Sequence, residues 1–354
     1  MSSPTGSSQW FANPGANFYN GVAKTSVRFD TASSAHLTRN IGTGNRRLFT
    51  YSFWLKRAKI GTSQQFLAKG TNIANADATE VEFTAANTLA IREYVDDSVS
   101  HYLITTRLFR DTSAWYNIVI AYDTAQATAA NRVKIYVNGV QETSFGTENY
   151  PARNYDALYT YTQSGSSSLN IGQGWAGGVF YDGYFSDITH IDGAALAPTS
   201  FGETKNGVWI PIDTSGLTFG DEGYLLKFDQ VGVGTASTST IGADTSGNNN
   251  HFTSTNIVVS DCAMPDSPEN NFATWNTIYR MYGDTGSLAT TEGGLFVTGG
   301  GNVNADRAYA MSTIPVNEIL RNEDGAGAYM EVRSPAVGGD NGYIGLLGQS
   351  RFDQ

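Results

Sequence analysis

The sequence predicts an all-β protein built as a sandwich or jelly roll. Short segments with apolar residues at every second position recur along the 354 residues, and helical periodicity is nearly absent. Charged residues make up only 16% of the chain, too few for long solvated helices, whereas Tyr (19) and Phe (18) are abundant. Short strands without intervening amphipathic helices favour two packed antiparallel sheets.

The clearest local prediction is a β-hairpin over Arg132–Thr143. Apolar and polar residues alternate in RVKIYV, and Asn138 and Gly139 follow directly. An Asn-Gly pair readily adopts the two positive φ angles that a type I′ turn requires. The apolar residues of RVKIYV should therefore face the core, with the chain reversing at Asn138.

The other strands follow from similar patterns. WYNIVIAY (Trp115–Tyr122) is apolar on both faces, which predicts a central strand that is covered on both sides. Further strands are expected at Lys24–Phe29, Tyr51–Lys56, Thr88–Glu93, His101–Thr105, Leu169–Gly172, Tyr181–Ile191 and Tyr224–Phe228.

Composition divides the chain into four parts. Residues 1–21 are mostly polar with a few aromatics and form an N-terminal arm, and residues 22–258 form one sandwich. Residues 259–275, with DCAMPDSPENNF, form a linker. Residues 276–354, with GLFVTG, RAYAM, AYMEV and GYIGLL, form a second and smaller β-sandwich-like segment.

Charge and cysteine content exclude several classes of function. With 22 Lys+Arg against 33 Asp+Glu, the net charge of −11 argues against nucleic-acid binding. Cys262 is the sole cysteine, so neither an intrachain disulfide nor a cysteine zinc site is expected. The N-terminus lacks the features of a signal peptide, and no apolar run is long enough to span a membrane. We therefore expect a soluble protein made in a reducing compartment.

A GxGxxG pattern at Gly172, Gly174 and Gly177 is not a dinucleotide site. A nucleotide fingerprint needs this loop to open a helix, whose N-terminal amides hold the pyrophosphate. Here GVFYDGYFSDITHI follows, which alternates as a strand does. The loop should therefore join two strands. The four histidines are isolated in sequence, which favours structural roles.

Paired carboxylates provide the enzymatic alternative. Glu80 and Glu82 lie two residues apart on a probable strand, so both should project from one face, about 6.6 Å apart along it. That separation is in the range that glycosidases use. Solvated acidic residues on a sheet face would explain the same spacing, and we expect no enzymatic activity.

A metal loop is a weaker candidate. DTSGNNNHF gathers oxygen-bearing side chains and Gly as a calcium loop does, with Asp244 and Asn248 as the ligand candidates. It lacks the bidentate Glu of an EF-hand. A turn rich in Asn, Asp and Gly explains the segment as well, so no cofactor is expected, with Ca²⁺ as the open alternative.

The best candidate contact surface is rich in tyrosine. Tyr150, Tyr155, Tyr159 and Tyr161 lie among small polar residues in YPARNYDALYTYTQSGSSS, and Trp175 lies in LNIGQGW. Stiff amphipathic rings among adaptable polar groups are typical of binding loops. Three readings remain open for the tyrosine-rich segment: contact with a ligand, contact with another subunit, or packing against its own sandwich.

An ordered set of segments resembles a known family. SVRFDTASSAHLTR, GNRRLFTYSFWLKRAKIGTSQQFLAKG, WYNIVIAYD, RVKIYVNGVQ, LNIGQGW, YDGYFSDITHIDGAALAPTSFGE and DTSGNNNHF together resemble the laminin G-like/concanavalin A-like domain of tailed-phage virion proteins. The segments from DSPENNFATWN onward resemble the start of a SPRY-like β-sandwich. The resemblance implies a concanavalin A-like jelly-roll sandwich and a virion role, and it carries over no ligand site.

The resemblance implies a phage structural protein, a tail fibre or surface appendage, made in the host cytoplasm. Its expected partners are other virion proteins, further copies of itself and host-surface glycan, without nucleic acid or membrane insertion. A polysaccharide depolymerase acting through Glu80 and Glu82 is one alternative. A pure assembly or decoration module without receptor binding is the other.

Overall fold

A computed structural model of the protein describes residues 19–70, 77–161, 168–276, 287–300 and 311–312. In chain order its strands are β1 (Val27–Phe29), β2 (His36–Asn40), β3 (Leu48–Arg57), β4 (Gln64–Gly70), β5 (Ala78–Phe83), β6 (Thr88–Val95), β7 (Ser98–Leu108), β8 (Trp115–Asp123), β9 (Val133–Val137), β10 (Val140–Gln141), β11 (Phe145–Asn149), β12 (Ser168–Ile171), β13 (Gly183–Asp192), β14 (Gly202–Lys205), β15 (Val208–Pro211), β16 (Tyr224–Leu226), β17 (Thr253–Thr255), β18 (Trp275–Asn276), β19 (Ser287–Thr291), β20 (Phe296–Gly300) and β21 (Met311–Ser312).

Helix in the described residues is limited to four short 3₁₀ turns at Ala129–Asn131, Pro198–Ser200, Val259–Asp261 and Glu292–Gly294. The predicted all-β class is confirmed. Among these residues no helix is long and apolar enough to cross a membrane.

Two antiparallel sheets form the sandwich. One has seven strands in the order β1-β13-β3-β8-β9-β10, with β16 also paired to β13. The other has eight strands in the order β11-β7-β6-β5-β4-β12-β2-β17. The predicted central strand is confirmed, because β8 lies between β3 and β9 and is buried from Asn117 to Tyr122.

The inner faces of the sheets meet in a core rich in aromatic rings. Phe53 of β3 and Phe66 of β4 pack edge to face across the sandwich, with ring centroids 5.4 Å apart. Phe185 of β13 contacts both of them. Buried Val, Ile and Leu residues of both sheets complete this core, as the period-two patterns predict.

The predicted hairpin and the strand-joining glycine loop are both confirmed. Asn138 has φ 49° and Gly139 φ 79°, and Val137 pairs with Val140 across the turn. The residues of β9 alternate between buried and half-buried, as RVKIYV predicts. The GxGxxG loop connects β12 to β13 and opens no helix.

The outer face of the seven-stranded sheet is covered by the chain that follows β13. Val119, Ile191 and Leu225 on this face form a second apolar cluster with Phe201 and Phe219. The hairpin of β14 and β15 lies over the same face, where the indole Nε1 of Trp209 donates to Asn117 Oδ1 at 3.0 Å. Strand β8 is therefore covered on both sides.

Part of the predicted linker packs on the same sheet. Lys56 Nζ, which is fully buried, lies 2.9 Å from Asp266 Oδ2 and 2.7 Å from the carbonyl oxygen of Phe272. Arg28 Nη2 lies 2.5 Å from Asp261 Oδ1. These residues form an anchor at the end of the sandwich. The three predicted domain boundaries themselves stay predictions.

Only part of the predicted C-terminal β segment lies among the described residues. Most of β20 lies in GLFVTG and pairs with β19, and the last residue of RAYAM begins β21, which pairs with β18. AYMEV, GYIGLL and three aromatic residues of the predicted arm, Trp10, Phe11 and Phe18, lie outside the described residues.

Candidate functional site

A polar row crosses the outer face of the eight-stranded sheet. Val81 and Ile91 point into the core, so the alternating residues of β5 and β6 project outward. The strand register places Glu80 opposite Arg92, and Arg92 opposite Tyr102 of β7. Three strands thus bring an acid, a base and an aromatic ring side by side.

Arg92 bridges the two carboxylates that sequence spacing singles out. Its Nη1 lies 2.5 Å from Glu80 Oε1, and its Nη2 lies 2.6 Å from Glu82 Oε1. The second oxygen of Glu80 accepts a hydrogen bond from the Gln65 amide, and that of Glu82 accepts one from the Ser63 hydroxyl. All four carboxylate oxygens therefore have partners. The prediction that Glu80 and Glu82 share one face is confirmed.

The network is largely withdrawn from water. The side chains of Glu80 and Glu82 are 3% exposed, and that of Arg92 is 20% exposed. Burial raises the pKa of Glu80 above its usual value, and the neighbouring Glu82 charge adds to this, against the lowering effect of Arg92 and the Trp175 indole. Burial lowers the pKa of Arg92, but the two carboxylates outweigh it and raise that pKa overall.

Aromatic side chains surround this network. The guanidinium of Arg92 lies over the ring of Tyr102, 4.5 Å from its centroid. The hydroxyl of Tyr94 lies 3.5 Å from Glu80 Oε1, and Trp175 lies beside the same carboxylate. All three aromatic residues are half-buried. Fixed polar groups beside accessible ring faces can both hydrogen-bond and stack on a hydroxylated ligand.

Two of the predicted tyrosines bond into the sandwich through their hydroxyls. Tyr159 is 1% exposed and belongs to the core, and its hydroxyl donates to the backbone oxygen of Glu80 at 3.1 Å. The hydroxyl of Tyr155 donates at 2.5 Å to Oε1 of Glu93, a buried acid on the inner side of β6. A ligand-contact role for Tyr159 is therefore wrong. Packing against the sandwich itself is the interpretation that fits Tyr159, whereas a contact role for the half-buried Tyr155 stays a prediction.

The remaining candidates separate from one another. Tyr161 is half-buried with Arg46 over its ring at 4.1 Å, and Tyr150 packs edge to face against Phe145 at 6.5 Å. Of the five predicted aromatics, the structure brings only Trp175 to the Glu80 network. A ligand-contact role for Tyr150 and Tyr161 stays a prediction.

The predicted metal loop is held by the protein itself. The carboxylate of Asp244 accepts hydrogen bonds from the backbone N–H groups of Leu225, Ser246 and Asn250 and from the Ser246 hydroxyl. The amide of Asn248 donates to two loop carbonyls. Asp244 therefore has a structural role in this loop, and cation binding by Asp244 and Asn248 stays a prediction. In the described parts of the chain, no cluster of three or more His, Cys, Asp or Glu could hold a metal.

Sequence reasoning missed Arg92, Tyr94 and Tyr102. The face on which they lie could have been predicted, because inward and outward residues alternate in TLAIREYV and HYLITT and place these three on the face opposite the core. What the sequence lacks is the register between β5, β6 and β7, which makes them neighbours of Glu80.

A match to a protein-family model agrees with this architecture. A family model described as the concanavalin A-like lectin/glucanases superfamily, of the laminin G type, matches residues 29–198. This region has a laminin G-like, concanavalin A-like fold. Among curated proteins, no sequence matches the chain.

Several solved structures are similar to the chain at low sequence identity. A carbohydrate binding protein, so described only provisionally, from Bacteroides ovatus is 14% identical, with a TM-score of 0.41, over 66% of this chain and 58% of its own. A heptameric SAP-like pentraxin from Limulus polyphemus is 16% identical (TM-score 0.35), over 49% of this chain and 78% of its own. Mouse laminin α1 domains LG4-5 are 11% identical (TM-score 0.33), over 62% of this chain and 53% of their own.

Proposed function

We propose that the chain is a non-enzymatic glycan-binding protein and that the outer face of its eight-stranded sheet holds the sugar. The observation that carries this proposal is the arrangement of Tyr94, Tyr102 and Trp175 around the bridged pair of Glu80 and Glu82. The concanavalin A-like domain adds support, since its family description includes lectins.

Sugar chemistry matches the face in two respects. The C–H side of a pyranose ring is apolar and stacks on half-exposed aromatic rings such as that of Tyr102. Its hydroxyls need donors and acceptors held in fixed positions, and Arg92 and its carboxylates are held rigidly by ion pairs and strand register. A preorganised polar network loses little conformational entropy when a ligand binds.

Hydrolysis of polysaccharide is the second candidate, because the same family description also includes glucanases. Two carboxylates on one face and the raised pKa of Glu80 favour it. The ion pairs disfavour it, because a general acid must hold a proton and Arg92 stabilises the charged form of both carboxylates.

We also propose a place for the protein in a phage virion. It would be a tail fibre or surface appendage that forms homo-oligomers, contacts other virion proteins and attaches to host-surface glycan, with a SPRY-like segment at 276–354. The support is the ordered set of motifs that resemble tailed-phage virion proteins. Detection of the chain in purified virions by mass spectrometry tests this, and a strictly monomeric protein absent from virions contradicts it.

Glycan binding is tested on the face itself. Tyr102→Ala and Tyr94→Ala should each weaken binding on a glycan array at least tenfold, a loss of about 1.4 kcal/mol in binding free energy. Tyr136→Ala is the matched control, since Tyr136 is a half-buried tyrosine on the outer face of the other sheet. Unchanged binding by the Tyr102 variant contradicts the assigned face, and shortening of polysaccharide by wild type but not by Glu80→Gln/Glu82→Gln supports the hydrolase.

A further inference from the structure

The Lys and Arg side chains on the strands of the eight-stranded sheet are either in ion pairs or buried. There are four of them, Arg39, Lys69, Arg92 and Arg107. Arg39 pairs with Glu222 at 2.7 Å, Arg107 pairs with Glu142 at 2.5 Å, and Lys69 is 1% exposed.

Arg92 is the only one of these groups in the polar row, and its two terminal nitrogens are each bound to a carboxylate. The segments 71–76 and 162–167, which adjoin β4 and β12, contain no Lys or Arg in their sequence. On β5, β6 and β7, a carboxylate or sulfate arriving at this row thus finds only Arg92, which is paired with two carboxylates, and Arg107, which is paired with Glu142 through its Nε.

The net charge of the polar row also opposes the binding of an acidic ligand. Glu80 and Glu82 carry two negative charges against the single positive charge of Arg92, which leaves a net charge of −1. In a site this far withdrawn from water, like charges repel more strongly than they do in bulk solvent. An acidic ligand that approached the free edge of the Arg92 guanidinium would lie near both glutamates, and their negative charges would oppose its binding.

We propose that the Glu80–Arg92–Glu82 row selects neutral glycans and rejects glycans that carry sialic acid, uronic acid or sulfate. The inference rests on the proposed glycan-binding function and names the class of sugar. Neutral hydroxyls can accept from the guanidinium edge and donate to the carboxylate oxygens without separating the ion pairs.

The experiment compares matched glycans on the full chain. Neutral oligosaccharides of glucose, galactose and their N-acetyl derivatives are immobilised beside the same oligosaccharides carrying a sialic acid, uronic acid or sulfate group. Neutral glycans should bind at least tenfold more tightly than their acidic counterparts. Equal or stronger binding of the acidic set overturns the selectivity and leaves glycan binding in place. Failure of both sets to bind overturns the proposed function and the selectivity with it.

A single variant then tests the cause. Glu82→Gln keeps the shape of the side chain, removes one negative charge and releases Arg92 Nη2 from its ion pair. The ratio of neutral to acidic binding should fall at least threefold, with the melting temperature checked beside it. Ser215→Ala changes an exposed residue outside the eight-stranded sheet and serves as the control. If Glu82→Gln folds with an unchanged ratio, the row does not set the selectivity.

Discussion

The outer faces of the two sheets of this sandwich differ in their chemistry. On the seven-stranded sheet, Val119 and Ile191 face outward and are covered by residues from later in the chain. On the eight-stranded sheet, the corresponding positions of β5 to β7 hold Glu80, Arg92 and Tyr102 in a polar row. Apolar cover stabilises a fold, whereas fixed polar groups with half-buried rings suit recognition. We infer that the covered face stabilises the fold, and we propose that the polar face binds the ligand.

The largest expected effect comes from breaking the anchor of the covered face. Lys56→Met should lower the free energy of unfolding by about 3–5 kcal/mol, because the Asp266 carboxylate is then left buried without its cation. Urea denaturation measures this loss. The double variant Lys56→Met/Asp266→Asn should recover much of it, because no unpaired charge remains. A loss below about 1 kcal/mol for the single variant would show that the cover is not anchored here.

The second effect, a dependence of stability on pH, is expected on the inner side of β6. Glu93 lies next to Arg92 but faces the core, and burial raises its pKa to about 7 against the lowering effect of its bonds to the Tyr155 hydroxyl and the Leu158 N–H. The folded state therefore holds this proton more tightly than the unfolded chain does. Its contribution to stability is complete below pH 4.5 and is lost as pH rises towards 7.

Glu93→Gln removes this dependence and so measures it. The free energy of unfolding of the variant, relative to wild type, should rise by about 3 kcal/mol between pH 4 and pH 8. Buried His101, whose pKa burial lowers to about 4, acts in the opposite direction between pH 6.5 and 4, but it is common to both proteins and cancels. A difference that stays constant with pH would mean that Glu93 titrates as an exposed acid.

Local patterns explain why the strands were predictable. Alternation in RVKIYV and the Asn138-Gly139 turn depend only on neighbouring residues, and both are confirmed. The cover of the seven-stranded sheet was not predictable, because Asp266 lies 210 residues from its partner Lys56. Nothing within either segment identifies the other.

A third test compares two Asn-Gly turns on the covered face. Gly139 (φ 79°) and Gly207 (φ 83°) have similar backbone conformations. A Cβ added at Gly139 would lie 2.5 Å from the Trp209 ring, whereas a Cβ added at Gly207 would have no neighbouring atom within 4 Å. Gly207→Ala should cost about 1 kcal/mol for its φ alone, and Gly139→Ala about 2–3 kcal/mol. Thermal or urea unfolding measures both, and equal costs would show that the Trp209 hairpin yields without loss.

The candidate site was only partly predictable for a related reason. Glu80 and Glu82 follow from spacing within one strand, whereas Arg92 and Tyr102 join them through strand register. Tyr159 was misleading because a tyrosine among small polar residues can equally donate its hydroxyl to a buried acceptor. Tyr155 finds the Glu93 carboxylate, and Tyr159 finds the Glu80 backbone.

The smallest effect on stability is expected where the effect on binding is largest. Tyr102→Ala removes a half-buried ring whose described partner is the Arg92 guanidinium, so the free energy of unfolding should fall by less than about 1 kcal/mol. Tyr136→Ala, its counterpart on the covered face, removes contacts with the second apolar cluster and should cost about 2 kcal/mol. Unfolding curves of both variants, set beside their glycan binding, should rank them in opposite orders. If Tyr102→Ala is the more destabilising change, the polar row mainly stabilises the fold, and the proposed difference in role between the two faces is wrong.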